Sequence, residues 1–373
     1  MFVGGPLEFN SDILASDIID HPNNQLGLVD ANILWTRSGR SSLSLVIESY
    51  KKHFSDGWML LPDYQCWEVN DVFRSIKSKY ISVNKNFVLD PDLLESMLQD
   101  DELKGILLID YFGLTDVESS INLINRNRPD IIVIVDAAMS FFSLLKSQKK
   151  YCKADVIIAS PRKFLPISDG GLVIFNDKEL LPIIENKNQE NHEQFSLYLS
   201  ASILRNFRKT SVMDKKTLDK IESIYLSLFK NHNDLFNYQI NPISFISMEI
   251  IKRIDLQDLA DQRENNFKLM KNMFINNDLN QDLEPIFNDV SSPALNFPVR
   301  VKNGKRNNLR EYLVTKGIFC PIHWPVPKEF KKYLGEFSSH HSDEILGLPI
   351  DQRCDTSSMS RLIEEIKIFI SDY

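Results

Sequence analysis

The chain has 373 residues, of which 43% are hydrophobic and 25% charged. This composition is typical of a folded globular protein and excludes a disordered, collagen-like or coiled-coil chain. The length predicts two domains, or one large domain with an appendage, at roughly 150 residues per domain. With 43 Lys and Arg against 51 Asp and Glu, the formal charge is −8, so nucleic acid and anionic membranes are unfavourable partners.

The cysteines are few and widely spaced, and they form no CxxC pair. This pattern argues against a zinc knuckle and against a dense disulfide framework. The amino-terminal segment has no basic region followed by an apolar stretch, and no apolar run approaches the roughly 18 residues that a spanning helix needs. The sequence therefore predicts a soluble cytoplasmic protein without a membrane partner.

Strand and helix patterns alternate through the first half of the chain. Residues 38–50 begin with small residues and then place apolar residues at helical spacing, which predicts a loop that leads into a helix. Two later runs, GILLIDYF (105–112) and DIIVIVDAA (130–138), are rich in β-branched and other apolar residues, as in parallel strands buried on both faces. Shorter strands are predicted within WMLLP (58–62) and KYISVN (79–84). This alternation predicts an α/β sheet.

The second half indicates a change of domain. Residues 154–177 read as strand, loop and strand, with the loop at a strand's carboxyl end, where open α/β sheets bind ligands. A polar, mostly helical stretch follows, and Asn241–Pro242 is a plausible break. A further strand, a helix and a terminal amphipathic helix follow it. We therefore expect a large domain in residues 1–240, with an amino-terminal arm, and a smaller α/β domain in residues 241–373.

Three features could carry chemistry, although each has a simpler explanation. The small-residue loop Ser38–Ser41 could hold a phosphate at a helix amino terminus, or be an ordinary helix cap. Asp136, at the end of a buried strand, could cap the following helix, and Lys163 could be solvated. Together they describe a pyridoxal-phosphate (PLP) site, which needs a phosphate cup, a carboxylate against the ring nitrogen and a lysine for the Schiff base.

Most of the chain resembles the DegT/StrS family of sugar aminotransferases, which are PLP enzymes of fold type I. The matching segments follow one another in the family's order: SGRSSL (38–43), LLPDYQCWEV (60–69), GILLIDYFGLTDVESSINLI (105–124), VIVDAAMSF (133–141), SPRKFLPISDGGLVIF (160–175), CPIHWP (320–325) and LGLPIDQR (346–353). The resemblance implies a large, mostly parallel α/β sheet domain and a smaller carboxyl-terminal α/β domain.

The resemblance also implies roles for individual residues. Lys163 would bind PLP covalently and then act as the base for the proton shift, while Asp136 would keep the ring nitrogen protonated. Cys66 and Trp67 occupy the position of the aromatic residue that packs on the cofactor ring. The cofactor phosphate would be held by Gly39, Arg40, Ser41 and Ser160.

Departures from the family pattern indicate a divergent subgroup. Met139 stands where the family commonly has a Gln that bonds the cofactor's phenolic oxygen, and Ile158 stands where it has a phosphate-binding Ser. Outside these motifs, His323 and Trp324 are the best candidates to face the substrate, although a core Trp and a His bonded to the backbone would be simpler. His340–His341 has no third ligand at metal spacing, so we expect a surface pair and no metal site.

The expected activity is the transfer of an amino group from glutamate to a nucleotide-linked keto-sugar, in polysaccharide or secondary-metabolite biosynthesis, by a homodimer. The anionic cofactor and substrate would need cations, which Arg40, His323 and Arg263 could supply, although Arg263 on a polar helix could equally be solvated. Alternatives are an amino-acid aminotransferase, a related PLP dehydratase, and a non-catalytic scaffold. Lys163 argues against the dehydratase, whereas Met139 leaves the scaffold open.

Overall fold

The computed structural model describes residues 3–28, 32–146, 148–176, 192–210, 213–277, 279–286 and 292–372. Its strands are β1 (Val3–Gly4), β2 (Asn32–Thr36), β3 (Trp58–Pro62), β4 (Lys77–Ile81), β5 (Leu103–Ile109), β6 (Ile132–Ala137), β7 (Val156–Ala159), β8 (Gly171–Phe175), β9 (Leu283–Pro285), β10 (Phe297–Val301), β11 (Ile318–Phe319) and β12 (Ile345–Leu348).

Helices cover much of the remaining described chain. They are α1 (Asp12–Ala15), α2 (Pro22–Gln25), α3 (Gly39–Ser49), α4 (Lys51–Ser55), α5 (Pro91–Met97), α6 (Val117–Asn127), α7 (Ser143–Lys146), α8 (His192–Thr210), α9 (Lys215–Asp234), α10 (Phe245–Ile251), α11 (Leu256–Asn276), α12 (Arg306–Thr315), α13 (Glu336–Glu344) and α14 (Thr356–Asp372). In α3, the apolar residues expected at helical spacing, among them Leu43 and Val46, are buried.

A seven-stranded sheet forms the centre of the fold, in the order β2-β8-β7-β6-β5-β3-β4. The five strands β3 to β7 pair in parallel, whereas β8 is antiparallel to both of its neighbours. β5 and β6 are buried along most of their length, because helices cover both faces of such a sheet. The predicted α/β class, with a mostly parallel sheet, is confirmed.

Two smaller sheets involve the second half of the chain. β10 lies between β9 and β12 in an antiparallel three-stranded sheet. β1, from the amino-terminal arm, pairs in parallel with β11, so the start of the chain reaches the carboxyl-terminal half. The large sheet uses residues before 176 and the three-stranded sheet residues after 282. The domain boundary near residue 240 remains a prediction.

The surface position expected for the histidine pair is wrong for His341. Its imidazole is buried and stacks on Phe87 with ring centroids 3.9 Å apart, while Nε2 bonds to the carbonyl oxygen of Asn84 at 3.1 Å. Burial lowers the pKa of His341 to about 4, so the ring is neutral at pH 7.

Among the described residues, no helix is long and apolar enough to cross a membrane.

Candidate active site

The ends of β6 and β7 bring the predicted carboxylate and lysine to one edge of the large sheet. Asp136 on β6 is in register with Ile158 on β7, and the next pair is Ala137 with Ala159. The chain then forms a short 3-10 turn, Pro161–Lys163, in which the Lys163 N–H donates to the Ser160 carbonyl at 3.1 Å. Parallel strands end at the same edge, which places Asp136 beside this turn.

The amino terminus of α3 meets the same turn. Ser38 caps the helix by accepting a hydrogen bond from the Ser41 N–H at 3.1 Å. A side chain at Gly39 would place its Cβ 3.6 Å from the Cβ of Ser160 and 4.0 Å from the Cβ of Ala138. These are ordinary contact distances, so the Ser160 side chain lies against the helix terminus, where free N–H groups favour an anion.

Lys163 faces a cavity of about 490 Å³ that also contacts Cys66 and His323. Within the described part of the chain, its amino group has no hydrogen bond and no ion pair. Burial lowers the pKa of Lys163, and the charge of Asp136 opposes this effect. A lower pKa increases the neutral fraction of the amine at pH 7, which is the nucleophilic form.

Asp136 lies near the carboxyl end of β6 and does not line the cavity. Its Oδ1 accepts a hydrogen bond from the Ala138 N–H at 2.8 Å, so the carboxylate caps the turn that follows β6. Burial raises the pKa of Asp136, while the nearby charge of Lys163 opposes the rise. The carboxylate therefore has a structural contact and is also within electrostatic reach of the amine.

Comparison with known proteins now settles the family. The sequence model of the DegT/DnrJ/EryC1/StrS aminotransferase family matches residues 75–367. The chain belongs to this family. It is a PLP-dependent aminotransferase of fold type I.

Solved structures share this fold at low sequence identity. A DegT DnrJ EryC1 StrS aminotransferase from Brucella abortus is 16% identical, with 99% of this chain and 91% of that chain covered and a TM-score of 0.63. The ntda structure from Bacillus subtilis, with bound cofactor PMP, is 15% identical, with 91% and 73% covered and a TM-score of 0.63. The sugar aminotransferase CalS13 from Micromonospora echinospora is 12% identical, with 98% and 93% covered and a TM-score of 0.61. No curated protein sequence matches the chain significantly.

The residues of the aminotransferase fit PLP at the strand ends. Lys163 presents an amine without a partner in the described chain, and Asp136 supplies a carboxylate nearby. The Ser160 hydroxyl likewise has no hydrogen-bond partner among the described residues, and it faces the amino terminus of α3. These groups match the lysine, the carboxylate and the phosphate cup that PLP requires.

Two of the predicted cofactor ligands make other contacts in the aminotransferase. The Ser41 hydroxyl donates to the Gln239 carbonyl at 2.7 Å and accepts from the Asn241 N–H at 3.1 Å, so it ties α3 to that segment. Trp67 stacks on Phe330 with ring centroids 4.4 Å apart and does not line the cavity. The cofactor roles of Ser41 and Trp67 stay predictions, without support from these contacts.

The remaining predicted cofactor residues divide between the cavity and the core. Cys66 lines the cavity, and the charge of Lys163 acts on its thiol, although burial is the larger effect and raises the pKa. Met139 is buried in the hydrophobic core and does not line the cavity. Arg40 forms an ion pair with Glu68 at 3.3 Å.

His323 and Trp324 line the cavity on the side of the carboxyl-terminal half. His323 Nε2 bonds to the Asn296 Oδ1 at 3.0 Å, and the His323 carbonyl accepts from the Tyr64 hydroxyl. Burial lowers the pKa of His323 to about 3, and the charge of Lys163 lowers it further. The expectation that His323 supplies a cation is therefore wrong, because its ring is neutral at pH 7.

Arg263 is buried, so the alternative in which it is solvated is wrong. Its guanidinium donates to the carbonyls of Ala294 at 3.2 Å and Leu295 at 3.3 Å, and to the Gln352 side chain at 3.0 Å. The side chain also lines the cavity. Helix periodicity alone could not reveal this position, because the carbonyls that accept these bonds come from a distant loop.

The sequence analysis predicted an amino-terminal arm but missed that its residues 4–7 line the cavity. Gly4 and Gly5 have φ values of +75° and +79°, a left-handed backbone that favours glycine. The guanidinium of Arg205 donates to the carbonyls of Gly4 and Pro6 at 2.6 and 2.5 Å. The Gly-Gly-Pro string was the signal in the sequence that could have indicated this left-handed backbone.

Among the described residues, no cluster of His, Cys, Asp and Glu could hold a metal ion.

Proposed function

We propose that this aminotransferase transfers an amino group from glutamate to a nucleotide-linked keto-sugar, in polysaccharide or secondary-metabolite biosynthesis. The observation that carries the proposal is the position of Lys163, an amine without a partner in the described chain, between the Asp136 strand end and an arginine-lined cavity. The amine of Lys163 supports the transfer of an amino group. The arginines of the cavity support an anionic substrate.

Bound PLP supplies an electron sink for the bonds around the carbon that gains or loses the amino group. Lys163 would hold the cofactor covalently, and its amine, when released, would move the proton between the substrate carbon and the cofactor. Burial favours this role because it lowers the pKa of Lys163 and so leaves more neutral amine. Asp136 would keep the cofactor's ring nitrogen protonated, and Gly39, Arg40 and Ser160 would bind its phosphate.

The charges around the cavity support an anionic substrate. Arg162, Arg263 and Arg310 line it together with Lys163, whereas the acidic side chain in the described lining is Asp351. Asp351 is paired with Arg353 at 2.8 Å, so its charge is largely balanced. A phosphate-bearing nucleotide would suit such a surface, because guanidinium groups bind phosphate in bidentate geometry. His323 and Trp324 would contact the sugar as neutral groups.

We further propose a cytoplasmic homodimer. The pair of helices α8 and α9 exposes Ile203, Phe207 and Leu226, which are 57%, 47% and 50% accessible in the single chain. Burial of such side chains against a second copy would remove apolar surface from water. The cytoplasmic location is supported by four cysteines that form no disulfide with one another. Light scattering should give twice the chain mass, and a stable active monomer would contradict the dimer.

The substrate is tested by half-reactions of the pyridoxamine form of the enzyme. We expect a nucleotide-linked 4-keto-sugar or 3-keto-sugar to restore the PLP spectrum faster than pyruvate or oxaloacetate does. Glutamate should return the enzyme to the pyridoxamine form. Faster reaction with simple keto-acids would instead identify an amino-acid aminotransferase, and release of the substrate's hydroxyl group without amination would identify a dehydratase.

A further inference from the structure

Arg162, the residue before Lys163, is half-buried and lines the cavity, and it is not among the residues expected to bind the cofactor. Its guanidinium lies over the Phe236 ring, 4.2 Å from the centroid, and its Nη1 reaches the Asn233 Oδ1 at a long 3.4 Å. The Nε has no solvent exposure and no hydrogen-bond partner in the described part of the chain. This guanidinium is therefore held in place with donor capacity unused.

No carboxylate of the described residues lies within ion-pair distance of Arg162. Asp169, whose charge acts on it, accepts hydrogen bonds from the Ser244 N–H at 2.9 Å, the Ser244 hydroxyl at 2.6 Å and the Ser247 hydroxyl at 2.5 Å. Glu68, the other acidic group that acts on Arg162, pairs with Arg40 and is largely exposed. Both carboxylates are engaged elsewhere.

A half-buried cation without a counter-ion still loses part of its hydration, which costs the folded protein free energy. Burial lowers the pKa of Arg162 to about 10, and the positive charge of Arg40 lowers it further. The charges of Arg162 and Arg40 repel each other, and an anion bound near both guanidinium groups would offset this repulsion. Ser160, two residues before Arg162, has its hydroxyl free of hydrogen bonds in the described chain and faces Gly39 at that terminus.

We infer that Arg162 is a ligand of the cofactor's phosphate, acting with Ser160, Arg40 and the amino terminus of α3. This inference rests on the proposed cofactor site at Lys163. It also offers a reason why the chain tolerates Ile158, because a guanidinium can replace a hydroxyl ligand of the phosphate. The cation–π contact with Phe236 and the Asn233 contact position the guanidinium for this role.

The test compares cofactors that differ in the phosphate. Dissociation constants of the apo full-length protein are measured for PLP and for pyridoxal, which lacks the phosphate. We expect Arg162→Gln to weaken PLP binding by about tenfold to a hundredfold, which is the range for one lost charge-assisted hydrogen bond, and to leave pyridoxal binding unchanged. Arg162→Lys, which keeps the charge, should recover part of the loss.

The matched control is Arg300→Gln. Arg300 is a partly buried arginine outside the cavity lining that pairs with Glu344 at 2.7 Å, so its loss should affect both cofactors equally or not at all. Inorganic phosphate provides a second measurement, since it should raise the melting temperature of the wild-type apo protein and of Arg300→Gln, but raise that of Arg162→Gln much less.

The inference is overturned if Arg162→Gln keeps the wild-type preference for PLP over pyridoxal, or if it weakens both to the same extent. If Arg162→Gln does not fold, the folded Arg162→Lys variant decides. A guanidinium ligand is contradicted if this variant keeps the wild-type ratio of the dissociation constants for PLP and pyridoxal and is also stabilised by phosphate as fully as the wild type. None of these measurements uses a keto-sugar. Failure of the substrate proposal and failure of the Arg162 assignment are therefore separate outcomes.

Discussion

Two sides of the candidate site differ in how far apart their residues lie in the sequence: the strand-end side, at the ends of β6 and β7, and the arm side, at the amino-terminal arm. On the strand-end side, Ser160 and Lys163 belong to one turn, and Asp136 stands on the adjacent strand. On the arm side, residues 4–7 line the cavity together with His323 and Asp351, which are more than 300 positions away in the chain. A short motif can therefore specify the first side, whereas the second exists only after distant segments have packed.

The arm side is held by a buried network of charges. Glu8 pairs with Arg205 at 2.7 Å and with Arg353 at 2.6 Å. Arg353 also donates to the carbonyls of Gly5 and Pro6, each at 2.9 Å. On the strand-end side, sheet pairing between β6 and β7 holds Asp136 in place. The two sides should therefore respond differently to mutation.

The largest effect is expected at the amine. Lys163→Ala should lower turnover on the order of a thousandfold or more, because it removes both the covalent link and the base, while the fold persists. Borohydride reduction of the wild type followed by peptide mapping should place the pyridoxyl group on Lys163. Lys153→Ala, on the surface, is the control variant. A pyridoxyl label on another lysine would contradict the assignment of Lys163.

Asp136→Asn should lower turnover by about a hundredfold to a thousandfold with little loss of stability, because the amide keeps the Ala138 contact but loses the charge. Since the charge of Asp136 raises the pKa of Lys163, its removal should lower that pKa further. In the apo protein, modification of Lys163 by an amine reagent should then begin at lower pH. Turnover at the parent rate would reduce Asp136 to a helix cap.

Two serine variants distinguish a side chain that binds the cofactor phosphate from one that only stabilises the fold. Ser160→Ala should weaken PLP binding by about tenfold, because its free hydroxyl faces the amino terminus of α3. Ser41→Ala should leave PLP binding almost unchanged and lower the free energy of unfolding by about 1 kcal/mol, because its hydroxyl bonds to Gln239 and Asn241. The reverse result would show that Ser41 is the phosphate ligand.

The smallest effect on the reaction is expected at the arm. Glu8→Gln keeps the size of the side chain but weakens its pairing with Arg205 and Arg353. The KM for the keto-sugar should rise by about threefold to tenfold, because the cavity wall moves, while PLP affinity stays the same. Limited proteolysis should cut the arm faster than in the wild type. An equal loss of PLP affinity would mean that the two sides are not independent.

Sequence reasoning succeeded where a residue's role depends on neighbours in the chain. The buried strand runs predicted β5 and β6, and the order of motifs predicted the family. It failed where burial depends on distant partners, as for His341 against Phe87 and Arg263 against the carbonyls of residues 294 and 295. In both cases the local pattern was polar, and only tertiary contacts could show that the side chain is buried.

The amino-acid sequence by itself determined the α/β class, the lysine and carboxylate at neighbouring strand ends, and the cofactor, because strand periodicity and short motifs are local properties. Tertiary structure decided that Ser41 and Trp67 are engaged by Gln239 and Phe330, that His323 is neutral, and that the arm forms a wall of the cavity. Each of these outcomes depends on which distant groups meet, and therefore on burial and charge that no local pattern contains.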